Sequence, residues 1–301
     1  MLHGAGRGST AAFTRDNPPM ETMLRVIPGT TPLVLDSPHS GTVYPADFGH
    51  CVPMAELRQA EDTHVEKLYD FAPSMGIAWI EALFPRSYLD ANRNLTEVDT
   101  TMLEDDWGGG IESEPKALAK VRLGKGLVWR ITDNGVPLYS RKLTAREIEA
   151  RIASCWRPYH DAVARAIDDA HARHGYSTHL DCHSMPAVSA PYSTDFPGLV
   201  HADFVIGDRD GTTADPRLSK KVCAHLEGLG YTTSYNHPYK GVELVRRYGD
   251  PARDRHSIQV ELNRKLYMDE ATLEMTPQAA KLKADLRSLL SMLLATDPRI
   301  A

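Results

Sequence analysis

Two histidines in this chain each follow a run that reads as a β-strand. His39 stands in Ser-Pro-His-Ser-Gly after TPLVLD, and His183 stands in Asp-Cys-His-Ser after STHL. Open α/β sheets present ligands just beyond the carboxyl ends of their strands. Two neutral imidazoles and one carboxylate there make the three N/O ligands of a catalytic zinc site, with a fourth position left open and no cysteine required. Asp62, in Ala-Glu-Asp-Thr-His, is the candidate carboxylate, and its neighbours Glu61 and His64 are alternatives to it. Any one of the 13 histidines taken alone is more simply a hydrogen-bonded loop residue. It is the pair at strand ends, beside Ser and Gly, that carries the reading.

A second cluster is Arg86 with Asp90-Ala91-Asn92-Arg93. A guanidinium holds a carboxylate through a planar two-pronged fork, and an adjacent amide can orient it. The competing reading is a structural ion pair at a strand end. The third is Ser257 to Arg264, SIQVELNR. Alternation on a strand puts Ile258, Val260 and Leu262 on one face and Gln259, Glu261 and Asn263 on the other. Glu261 then suits a general base facing a polar cavity, or else the solvated face of an edge strand. No Gly-x-Ser-x-Gly elbow and no phosphate loop competes for a nucleophile.

The elements that must position these groups alternate between strand and helix. Strands are expected at Thr31–Asp36, Ile77–Phe84, Ser177–Cys182, Asp203–Ile206, Tyr231–Tyr235 and Ser257–Leu262. A helix is expected from Met54 to Phe71. A long one starts at Thr144 with the capping box Thr144…Glu147, kinks at Pro158 and closes at Gly175. Asp215-Pro216 opens another as N-cap and first helical residue. Thr276-Pro277 opens the last, burying Leu282, Leu286, Leu289, Leu290 and Leu293. Asn94 to Lys142 has no clear period and reads as a long covering loop, with a hairpin at Leu127–Tyr139 turning on Asp133-Asn134-Gly135. Residues 1–25 read as a flexible leader, with Met20 or Met23 as alternative starts, and 26–301 as a single α/β domain with a central mixed sheet flanked by helices.

Composition narrows the function. The 301 residues carry a formal net charge of −6 and no long basic run, which argues against a nucleic-acid partner. No window reaches the roughly 18 apolar residues of a membrane span. Four scattered cysteines form no CxxC pair, so reduced thiols in a cytoplasmic protein are the simple reading.

At these same residues the chain resembles the N-formylglutamate amidohydrolase family, the deformylases of histidine degradation. The likeness runs from about Pro32 to Glu270 and includes PHSG (38–41), EDTHVEKLYDFA (61–72), RSYLDANR (86–93), WRPYH (156–160), DCHS (181–184), YKGVELVRRYGDP (239–251) and QVELNRKLYM (259–268). That family looks like a distant relative of the zinc carboxypeptidases and of aspartoacylase, although the His-x-x-Glu metal motif is absent here, since Ser40, Gly41 and Thr42 follow His39. The resemblance implies a zinc-carboxypeptidase-like α/β fold. It implies one Zn2+, or another divalent metal, held by His39, Asp62 and His183, with a catalytic acid and base at Glu261 and substrate contacts at Asn92 and Arg93. Arg86, Arg93 and Arg246 would divide between the oxyanion and the substrate carboxylates, Lys240 and Arg246 would line the pocket, and Asp181 would hold a ligating imidazole. The implied substrate is a small acidic N-acyl amino acid, N-formyl-L-glutamate foremost. Another N-acyl amino acid or a peptide terminus is the alternative, and a metal-stabilised binding protein without turnover is the rival of another class.

Overall fold

A computed structural model describes residues 23–190 and 196–300. Strand β1 (Leu24–Ile27) comes first, then β2 (Leu33–Ser37). The expected boundary of the leader at residue 25 thus falls inside β1, and residues 1–22 lie outside the described residues. The single helix expected from Met54 to Phe71 is two short ones, α1 (Met54–Arg58) and α2 (Val65–Leu68). Between them His64 adopts a left-handed backbone (φ 69°), and the Asp62 N–H donates to the His39 carbonyl at 3.0 Å. A continuous helix would carry Asp62 away from His39; the break keeps it there.

Strand β3 (Ala78–Ala82) follows. The stretch expected to be loop from Asn94 to Lys142 does cover one side of the sheet, but contains helix α3 (Pro115–Arg122). Glu114 caps it by accepting from the Ala117 N–H, and Pro115 occupies its first turn, where no N–H is needed. The expected hairpin survives as a tight turn bridged between Ile131 and Pro137, with Gly135 at φ 78°. Next come α4 (Ala145–Arg151), capped by the Thr144–Glu147 box, and α5 (Arg157–His174), ending at left-handed Gly175. They are joined by a π-helical turn, Ile152–Trp156. Pro158 has no N–H to give to the residue four back, and the wide turn before it absorbs the mismatch.

Strand β4 (Ser177–Met185) runs three residues past its expected end, so His183 lies on the strand itself. Then follow β5 (Phe204–Gly207), α6 (Pro216–Gly228), β6 (Thr233–Tyr235), α7 (Glu243–Tyr248), β7 (Arg255–Asn263) and α8 (Gln278–Leu294). The seven strands form one mixed sheet in the order β1-β3-β2-β4-β7-β5-β6. β3, β2, β4 and β7 are mutually parallel, whereas β1 and β5 pair antiparallel with their inner neighbours. β7 is therefore interior, not an edge.

Side chains alternate across the sheet as the period of two requires. Val34 packs into the core under α4, α5 and the covering segment, whereas Leu33 and Leu35 pack into the core under α2, α6 and α8. Polar residues buried in this sheet are the exception to be explained, and four of them lead to the site: Asp181, His183, Gln259 and Glu261. No helix among the described residues is long and apolar enough to cross a membrane.

Candidate active site

Three segments meet beyond the carboxyl ends of β2 and β4. His39 follows β2, Asp62 sits in the break between α1 and α2, and His183 lies near the end of β4. All three are at most 3% exposed. Asp62 Oδ2 is 2.9 Å from His183 Nδ1 and 3.4 Å from His39 Nδ1, and one donor atom from each residue lies within 4.8 Å of the others. Each imidazole is backed on its far nitrogen. His39 Nε2 is 2.7 Å from Asp90 Oδ1, and His183 Nε2 is 2.7 Å from Asp181 Oδ1. Asp181 and His183 are two apart on one strand and so share a face, which lets this pair form.

The donor set suits a divalent cation. Two Nδ1 atoms and one carboxylate oxygen converge, and the His39 imidazole is hydrogen-bonded to the Asp90 carboxylate, the arrangement that fixes the tautomer of a metal-ligating histidine, while His183 Nε2 lies beside Asp181 and the Asn92 amide. His39 Nδ1 is buried without a hydrogen-bond partner. Asp62 stays ionised: burial alone would raise its pKa, but the His183 hydrogen bond, the adjacent His39 imidazole and the Arg86 charge hold it well below the usual carboxylate range. Glu61 and His64 are turned elsewhere. Glu61 accepts from the Tyr44 hydroxyl at 2.5 Å and pairs with Arg58, while His64 Nε2 donates to the Leu273 carbonyl.

Gly41 completes the local geometry. A Cβ there would lie 2.3 Å from the Phe84 carbonyl oxygen, so only glycine lets the loop after His39 lie against the end of β3.

Glu261 stands opposite His183 in the β4–β7 register, which places the two side chains next to each other on one face. It is 8% exposed and accepts from Gln259 Nε2 at 2.8 Å. Burial pushes its pKa up to about 7, with Asp62 and Asp181 adding to the rise and His183 and Arg86 opposing it. A carboxyl poised near neutrality can both take and return a proton.

Arg86 bonds Asp90 at 3.0 Å and lies 3.7 Å from Asp62 Oδ1, so it belongs to the cluster. Arg93 lies 3.9 Å from Asp90 and 3.5 Å from Glu97. The Nε atoms of both arginines are buried without a hydrogen-bond partner among the described residues. Asn92 is central but already engaged: its Nδ2 lies 3.0 Å from Asp181 Oδ2 and 3.0 Å from His183 Nε2, and its Oδ1 accepts from Leu244 N. Expected from the sequence as a substrate contact, it has both ends of its amide bonded within the protein. Lys240 and Arg246 are not brought to the cluster. Lys240 is half-exposed and pairs with Asp210 at 2.6 Å, and Arg246, also half-exposed, is held by Glu243.

Sequence reasoning passed over Arg264, the last residue of the SIQVELNR run. It is 9% exposed and clamps the Asp62 loop, donating to the Glu61 carbonyl at 2.6 Å and to Ser184 Oγ at 3.1 Å. A basic residue ending a buried strand was the available signal. A further arrangement, Ser257–His179–Asp36, resembles a nucleophilic triad, with separations of 2.7 and 2.9 Å. Every member is 0% exposed and Tyr159 also donates to Asp36. No substrate can reach that serine, and the chain of bonds satisfies polar groups inside the sheet.

Comparison with known proteins shows the family of the chain. The model of the N-formylglutamate amidohydrolase family matches residues 31–268. An N-formylglutamate deformylase of Pseudomonas aeruginosa is 31% identical over 92% of this chain and 97% of its own length. One from Pseudomonas putida is 31% identical over 83% and 87%. The crystal structure of N-formylglutamate amidohydrolase from Ralstonia eutropha JMP134 superposes with a TM-score of 0.86 at 42% identity, covering 93% of this chain and all of that one.

Proposed function

Because the chain belongs to the N-formylglutamate amidohydrolase family, we propose that it hydrolyses N-formyl-L-glutamate to L-glutamate and formate. The observation that carries this reading is the pairing of a three-donor metal cluster with Glu261, in register beside His183 and tuned to about 7. A binding protein without turnover has no use for a near-neutral buried carboxyl beside residues that would hold a metal.

His39, Asp62 and His183 would hold the metal, with zinc the best match to two imidazoles and a carboxylate. When bound, such an ion polarises a carbonyl oxygen and lowers the pKa of water towards 7. The chain's own residues do the rest. Glu261 removes the proton of the attacking water and later delivers it to the departing amine nitrogen, so that water's oxygen ends in formate. Arg86, held between Asp62 and Asp90, faces the charge that develops on the formyl oxygen. Arg93 supplies a second cation within reach of Asp90 and holds the α-carboxylate through its unpaired Nε–H edge. Asn92, Asp90, Asp181 and Arg264 hold the ligands and Arg86 in place.

The test is formate release from N-formyl-L-glutamate by purified protein, with metal content measured on the same sample. N-acetyl and N-succinyl glutamate and N-formyl aliphatic amino acids serve as competitors. Turnover confined to a different acyl group or an apolar amino acid would remove the deformylase assignment and leave only an amidohydrolase.

A further inference from the structure

Glutamate carries a second carboxylate, and Arg86 and Arg93 already have roles. The covering segment between α3 and α4 contributes one more cation to the same place. Its backbone is tied to the site: Leu127 N donates to the Glu97 carbonyl at 2.7 Å, and Asp90 N donates to the Leu127 carbonyl at 2.8 Å. Gly126 permits this contact, since a Cβ there would meet the Glu97 carbonyl oxygen at 2.3 Å. The segment therefore lies alongside Asp90–Glu97, the stretch that holds Asn92 and Arg93.

Lys125 and Trp129 face one another across a bridge in this segment. Lys125 Nζ stands 4.6 Å from the centre of the Trp129 ring, and the Arg86 guanidinium stands 5.1 Å from the same ring. Trp129 is 3% exposed, and its indole N–H is buried with no acceptor. With the Nε atoms of Arg86 and Arg93, that makes three buried N–H donors in one neighbourhood that have no hydrogen-bond partner among the described residues. Donors left unpaired at a site cost stability unless a ligand accepts from them. Burial, then the Arg86, Lys120 and Arg93 charges, pushes the Lys125 ammonium down to about 7, so an arriving anion relieves repulsion there. Among the described residues, the carboxylate paired with Lys125 is that of Asp133, about one-third exposed at the tip of the turn.

We propose that Lys125, seated on Trp129, is the specificity-determining cation that receives the side-chain carboxylate of the substrate, displacing Asp133, with the Trp129 N–H as the second donor. This rests on the deformylase reading for its substrate but not for its chemistry, which is recognition of a second carboxylate. Lys125→Met in the metal-loaded enzyme should raise KM for N-formyl-L-glutamate by about 10–100-fold, the worth of one charge-assisted hydrogen bond, with the loss falling on KM more than on kcat. N-formyl-L-glutamine should lose much less. Lys125→Arg should keep most of the affinity, Trp129→Phe should show a smaller rise in KM, and Asp133→Asn should lower KM by removing the competing carboxylate. Equal losses on both substrates, or Asp133→Asn behaving like Lys125→Met, would make the pair purely structural and overturn the proposal. Calorimetry with glutarate separates this outcome from failure of the functional reading. If wild type releases no formate, the deformylase reading falls, whereas glutarate affinity that drops in Lys125→Met still upholds the carboxylate site, and affinity that does not change removes it.

Discussion

At the scale of single residues, the site is built from carboxylates that act on imidazoles. Asp62 joins the two histidines directly, while Asp90 and Asp181 hold them from behind. The two kinds of carboxylate should separate in experiment. His183→Ala and Asp62→Ala should lose bound metal and activity together, whereas Glu61→Gln, whose side chain faces Tyr44 and Arg58, should keep full metal stoichiometry. Asp181→Asn and Asp90→Asn should retain the metal more weakly, by about 10–100-fold, as outer partners of ligating histidines generally do. Metal analysis after dialysis against a graded chelator distinguishes the three classes, and an Asp62→Ala protein with one metal per chain would transfer the ligand role elsewhere. Glu261→Gln should keep metal and lower kcat by about 10²–10⁴-fold, the usual reach of general acid–base catalysis. Wild-type turnover in that variant would leave the proton transfer without its carrier.

At the scale of elements, function resides in interruptions. The sequence between Met54 and Phe71 has helical spacing at Leu57, Val65 and Leu68, and all three are buried as that spacing predicts. The helix breaks because Asp62 is bonded to the His39 backbone and His64 turns left-handed, a tertiary constraint that periodicity does not encode. Pro158 announced its kink, and the π-turn before it is the local answer. α3 opens on Glu114 and Pro115 as cap and first turn, but the stretch around it has no clear period and reads as loop. Gly41 offers a direct check on how closely the His39 loop is packed. Gly41→Ala drives a methyl group into the backbone of Leu83 and Phe84, and should cost about 1–3 kcal/mol, as overpacking does, with a lower melting temperature and weaker metal retention. An alanine variant that melts with wild type would show that the loop has slack.

At the scale of the whole molecule, α5, α7 and the Arg86–Arg93 stretch that follows β3 are bound together by one histidine. His160 on α5 donates from Nε2 to the Ala91 carbonyl at 2.8 Å, meets the Tyr248 hydroxyl through Nδ1 at 2.8 Å, and stacks on Trp156 with ring centres 3.7 Å apart. Burial pushes its pKa from 6.5 down to about 4. The unfolded chain therefore binds a proton at this histidine at a higher pH than the native chain does. Stability from this group is fully present above about pH 6.5 and is lost as pH falls towards 4, by an amount on the order of 3 kcal/mol. Urea unfolding at a series of pH values should show this fall in wild type and a flatter profile in His160→Gln. An identical pH slope in both proteins would place the acid sensitivity in other groups.

What the sequence determined by itself is what depends on local chemistry and short periods. Alternation in β7, the Thr144–Glu147 cap, the leucine spacing of α8 and the residue types of the cluster could all be read along the chain, because a strand repeats every two residues and a helix every 3.6. The choice of Asp62 over Glu61 and His64, the backing of His39 by Asp90, and the interior position of β7 were decided only when segments far apart in sequence met. So was the withdrawal of Lys240 and Arg246 to Asp210 and Glu243, since any of the nearby carboxylates satisfies a basic side chain equally well on paper. The indole of Trp129 and the ammonium of Lys125 gave no signal in the sequence at all. Their place beside Arg86 comes from two backbone hydrogen bonds, from Leu127 to Glu97 and from Asp90 to Leu127, and such bonds can form between residues of almost any type.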